Sequence, residues 1–125
     1  MGARRLELAG AWVLGVALPL LETARRRTNF QPFAAYVDDW IAGGLLLLAA
    51  AAVTRGHRSG PPLLVAAWGV LCGGMYGSFF AQLRWSGDDI SGLPNGMVVA
   101  IKGAVFAFAL LALALSIRAA STRAG

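Results

Sequence analysis

From Leu63 to Leu83 the chain runs without a charged side chain, and no other feature limits the fold as much. A helix rises about 1.5 Å per residue, so a run of this length crosses the roughly 30 Å hydrocarbon core of a bilayer. Three other apolar stretches accompany it, and membrane spans are expected at about 6–22, 36–53, 63–83 and 95–117. With 58% apolar and only 14% charged side chains in 125 residues, there is too little polar surface to clothe a soluble domain. The sequence therefore predicts an all-α integral membrane protein: residues 1–125 form one domain, a four-transmembrane-helix bundle.

Breakers separate these stretches: Gln31-Pro32, then Gly56 to Pro62, then Ser86-Gly87 and Gly92 to Asn95. The N-terminal segment imitates a secretory signal, with Arg4 and Arg5 ahead of an apolar run from Leu8 to Leu21. No small-x-small cleavage site ends the run, and Arg25, Arg26 and Arg27 follow it, so it is expected to remain as the first helix.

The formal charge of +5 comes mostly from arginines that flank the apolar runs. In that position they meet lipid headgroups, and no nucleic-acid partner is expected. Arg4, Arg5, Arg55, Arg58, Arg118 and Arg123 fall on the side of the termini, against Arg25, Arg26, Arg27 and Arg84 opposite. The positive-inside rule then places both termini in the cytoplasm, in a multi-pass protein of the plasma (inner) membrane. Trp40 and Trp85 stand where an aromatic belt belongs, and Phe30, Phe33 and Tyr36 suit an interfacial loop.

One cation breaks the pattern. Lys102 lies inside the last apolar stretch, and an ammonium at such depth requires a partner. The best candidates are Asp39 and Asp38 at the start of the second span, then Glu22 at the end of the first. Adjacent helical residues point about 100° apart. Asp39, which shares a face with Gly43, is therefore expected inward, and Asp38 toward the interface as a helix cap. Counting along each helix brings Ser78 to a similar level, with Tyr36, Tyr76, Gln82, Arg84 and Asn95 near the same boundary. These residues describe a polar layer toward the extracytoplasmic side that is suited to a lipid or small amphiphilic ligand. A structural ion pair locking two helices is the competing use of the same charges.

Gly69, Gly73 and Gly77 recur at a spacing of four along the third span. Such a row lets backbones approach closely and predicts a packing face toward another helix, within the chain, in a homo-oligomer or in a larger membrane complex. Pro19 removes a backbone donor and is expected to kink the first helix.

The catalytic inventory is poor. One cysteine, Cys72, and one histidine, His57, supply neither a Ser/His nor a Cys/His constellation, nor a metal or haem ligand set. The expectation is a non-enzymatic protein without metal or cofactor that binds a ligand in the polar layer or serves as a packing subunit. The alternative is a proton- or ion-coupled small-solute transporter using Lys102 and Asp39.

Overall fold

The computed structural model describes the backbone of residues 2–26, 33–84, 87 and 93–124. Among these residues the secondary structure is four α-helices and no strand. They are α1 (Gly2–Arg26), α2 (Phe33–Thr54), α3 (Gly60–Leu83) and α4 (Asn95–Ala124).

The turn between α2 and α3 is written in its residues. Gly56 adopts φ 70°, the left-handed region that glycine enters without steric cost, and ends α2. The Gly56 amide donates to the Val53 carbonyl at 3.0 Å and the His57 amide to Ala52 at 2.9 Å. Pro61 and Pro62 then open α3, where their missing N–H groups cost nothing because first-turn donors have no helical partner. Gly60 makes the tight reversal feasible, since a Cβ there would lie 2.9 Å from the Val53 backbone.

Among the described residues three helices are long and apolar enough to cross a membrane: α1 over Leu6–Ala24, α3 over Gly60–Leu83 and α4 over Asn95–Ser121. The second helix falls short of the expected fourth span, because its apolar part is limited to Asp39–Thr54. The cause lies in the sequence: Asp38 and Asp39 cut the apolar run near its start.

Successive helices pack side by side, and α4 closes the ring against α1. Among the described residues the backbones of α1 and α3 do not approach each other closely, nor do those of α2 and α4, so these pairs are the diagonals, with the Trp68 ring of α3 reaching across to Gly10 of α1. Gly10 near the start of α1 meets Phe108 of α4, and Val53 at the end of α2 meets Gly60 at the start of α3. The helices therefore alternate in direction, and the beginning of α1 and the end of α4 share one end of the bundle.

The interior packs many small side chains around a few large ones, Trp68, Leu46 and Leu71 the largest of the apolar ones. Ala11, Ala42, Ala49, Ala50, Ala67, Ala109 and Ala112 are buried around Trp68, whereas Leu20, Leu21, Ile41, Leu48, Ile101 and Leu111 are exposed. A water-soluble protein places its large apolar groups the other way round. In a bilayer the tails solvate leucine as well as a core does, and helices associate by close packing of small residues.

The tightest seam is between α1 and α2. Pro19 has no N–H to offer the carbonyl of Gly15 one turn earlier. Gly43 lies against that carbonyl and against the Pro19 ring, where a Cβ would come within 2.8 and 2.6 Å. The helix continues through Pro19 to Arg26. The expected packing row is different: a Cβ at Gly69, Gly73 or Gly77 would meet nothing within 4 Å. That face is not a seam within the chain, because α3 turns Leu64, Trp68, Leu71 and Met75 inward and leaves Gly73 and Gly77 exposed.

Candidate functional site

The expected polar residues gather most clearly between α3 and α4. Lys102 stands about two turns into α4 from Asn95. Its Nζ donates to Ser78 Oγ at 2.8 Å and to Gln82 Oε1 at 3.0 Å. Ser78 and Gln82 are one turn apart on α3, so they present their oxygens on one face. Gln82 passes the chain of bonds on: its Nε2 donates to Asn95 Oδ1 at 2.6 Å, while Asn95 Nδ2 donates to the Gln82 carbonyl at 3.2 Å. The amide of Gln82 thus serves as acceptor to the cation and donor to Asn95, and it is the most buried member at 6% exposed. Ser78, Asn95 and Lys102 are half-buried.

An aromatic group adjoins this cluster on its deeper side. Phe106, one turn beyond Lys102, stacks edge-on with Tyr76 at 6.3 Å and lies 6.2 Å from Phe79. Tyr76 in turn lies 5.0 Å from Phe80. The seam can take aromatic bulk because Gly103 leaves room, with Phe79 Cε1 only 3.0 Å from where a Cβ would stand. Tyr76 and Phe80 are exposed at 61% and 40%. The α3–α4 surface therefore joins a hydrogen-bonding head to an aromatic flank open to the side.

The remaining candidates are placed differently. Arg84 caps α3, is exposed, and donates from Nε to the Phe80 carbonyl at 3.4 Å, where a cation complements the helix dipole. Glu22 and Asp39 belong to the α1–α2 pair and are half-buried. Gly43 faces Pro19 in these antiparallel helices, so one turn farther out Asp39 comes opposite the Glu22-Thr23 level. Because α2 and α4 are diagonal, a Lys102–Asp39 pair has to reach across the bundle instead of along a seam. The side chains of Phe33, Tyr36 and Asp38, together with Phe30 and Trp85, lie outside the described residues.

Sequence reasoning sets Asn95 at the polar mouth and Gly103 on a close-packing face of the fourth span, but passes over Phe79 and Phe106 as ordinary span residues. The signal that marks them is the shared face: positions 78, 79 and 82 of α3 against 95, 102, 103 and 106 of α4. Among the described residues no group of three or more His, Cys, Asp and Glu is placed to hold a metal.

No protein-family model, no curated protein and no solved structure matches this chain. Its chemistry is accordingly read from the site itself.

Proposed function

We propose that this protein is a four-span bundle of the plasma (inner) membrane, with cytoplasmic termini, that holds an amphiphilic ligand against the outer half of the α3–α4 seam. The observation that carries this reading is the junction of two surfaces. The Lys102, Gln82 and Asn95 cluster offers hydrogen bonds to a headgroup, and exposed Tyr76 and Phe80 lie beside it for an apolar tail. An intramembrane cation of this kind is a functional-site hypothesis by default. A headgroup that adds acceptors to the ammonium gains charge-assisted bonds, while the tail stays in lipid and loses little.

The test is native mass spectrometry of the purified chain released from lipid. A retained lipid or small amphiphile is expected in the parent, with loss in Lys102→Met and weakening in Gln82→Leu. Equal retention by all three chains rejects the site.

A second reading is favoured by the open face of α3. Glycines exposed on a spanning helix leave a backbone-wide groove, which suits a packing subunit of a larger membrane assembly. Cysteine cross-linking from Gly73→Cys in native membranes distinguishes it, since a ligand-binding monomer gives no cross-linked product. The transporter alternative requires Lys102 and Asp39 to exchange protons or partners, and a pH-independent ligand content in vesicles argues against it.

A further inference from the structure

The outer end of α3 brings a cation and two aromatic rings onto a single face. Tyr76, Phe80 and Arg84 are spaced by four, so they form one row along the helix, and all three are exposed. Arg84 Nε donates to the Phe80 carbonyl at 3.4 Å, which holds the guanidinium over the last turn of α3. Among the described residues Arg84 makes no other hydrogen bond and no ion pair. Both of its terminal NH2 groups are therefore open to an oxyanion, and their planar fork matches a phosphate with two parallel bonds.

Beside and below the rings the helix surface is bare. Gly73 and Gly77 are exposed, and a Cβ on either would meet nothing within 4 Å. The bed they leave ends at Val70, whose side chain is exposed. Gly73 lies eleven residues before Arg84, about 16 Å along a helix. One leaflet of a roughly 30 Å hydrocarbon core is about 15 Å deep. A cation at the boundary thus stands over a bed as long as one acyl chain.

We propose that the amphiphile held at this seam is a phospholipid of the leaflet at the Arg84 end, with its phosphate on Arg84 and one acyl chain along Tyr76, Phe80, Gly77 and Gly73. The assignment rests on the ligand site proposed above and names its chemical class. A second copy of the chain suits this face less well. In a two-fold pair of parallel copies packed by this face, each residue of the row meets its own counterpart. Phe80 then obstructs the approach, and two Arg84 guanidiniums converge with like charge. A lipid brings the opposite charge and a flexible chain that conforms to the bed.

The other charges at this end bear on the same point. No charged residue lies between Gly60 and Leu83 on α3, and Lys102 is the charged residue of α4 toward this end, so the described α3–α4 wall is basic here. Asp88 and Asp89 follow in the connecting stretch, outside the described residues. Their neutral variants therefore belong in the test.

The test is native mass spectrometry of the full chain released from bilayers that hold equal amounts of phosphatidylglycerol and a galactosyl diacylglycerol with the same acyl chains. The parent is expected to retain the phospholipid about fivefold over the phosphate-free lipid. Arg84→Gln should still carry lipid but without that preference, whereas Arg84→Lys should keep part of it. Gly77→Leu, which fills the bed, should lower retention of both lipids. Lipid retained without preference, or a preference that Arg84→Gln leaves unchanged, overturns the phosphate assignment while sparing the site. A parent that carries no lipid, or a lipid content that Lys102→Met leaves unaltered, removes the site itself and the assignment with it. Three further results also overturn the proposal: displacement of the lipid by inorganic phosphate alone, a preference seen only after Asp88→Asn and Asp89→Asn, and cross-linking of Gly73→Cys to a second copy.

Discussion

Gly43→Ala adds one methyl group at the crossing of α1 and α2, and its cost can be reasoned from what that methyl meets. Its neighbours would be Pro19 Cγ at 2.6 Å, Pro19 Cδ at 2.8 Å and the Gly15 carbonyl oxygen at 2.8 Å. None of these is the end of a flexible chain: two belong to a ring within a helix and one to the backbone. The helices must separate, and overpacking of this kind typically costs about 1–3 kcal/mol. Replacing a helical glycine by alanine returns about 0.5–1 kcal/mol. The net expectation is a loss of about 1–2 kcal/mol, a factor of roughly 5–30 in the folded-to-unfolded ratio. The adjacent Gly44→Ala is the matched control, because a Cβ there meets nothing within 4 Å. It keeps the propensity gain without the clash. Reversible unfolding in mixed micelles, titrated with a denaturing detergent, should separate the two variants by about 2 kcal/mol. Equal stabilities, or a less stable Gly44→Ala, refute the assigned seam.

Three further outcomes follow from the same geometry. A double-mutant cycle between Lys102→Met and Ser78→Ala should show a coupling of about 0.6–1.7 kcal/mol, the range for polar contacts between membrane helices, and a larger one than Lys102→Met with Asp39→Asn; the reverse order places Lys102 on the diagonal partner. Trp68→Ala should cost about 3–5 kcal/mol by emptying the centre of the bundle, while Trp68→Phe should cost far less, since the Trp68 Nε1 has no hydrogen-bond partner among the described residues. In a Cys72→Ala background, Ser59→Cys should be shielded from an impermeant thiol reagent in intact cells and Ser91→Cys should react; the opposite labelling inverts the orientation.

The helices were legible in the sequence because their stop signals are local. Gly56, the Pro61-Pro62 pair and Pro94-Asn95 act within one or two residues of themselves, and the observed boundaries fall there. Hydropathy located all four helices; among the described residues three are long and apolar enough to cross a membrane, and the second is shorter because a run that begins with Asp38-Asp39 gains apolar length only on one side. The seam partners were not legible. A glycine's use depends on which way its helix turns, and Gly15, Gly43 and Gly73 look alike in a one-dimensional reading. Gly43 is recognisable as a place of close approach, but its partner only once Pro19 is seen to leave the Gly15 carbonyl without its usual donor.

The same blindness explains the polar residues. Counting along four helices gives a depth for each side chain but no azimuth, so Lys102, Asp39, Glu22 and Ser78 look like one layer. In the folded chain the azimuths sort them by seam: Ser78, Gln82, Asn95 and Lys102 along α3–α4, Glu22 and Asp39 along α1–α2. Adjacent helices of a hairpin meet along their whole length, whereas diagonal helices meet only through long side chains. In a bundle closed by small residues, a sequence neighbour is therefore a place to look for a partner of a buried charge, alongside the residue of opposite sign at matching depth. For Lys102 that neighbour is Gln82, whose amide can accept from the ammonium and donate onward in the same geometry, something a carboxylate at that position cannot do.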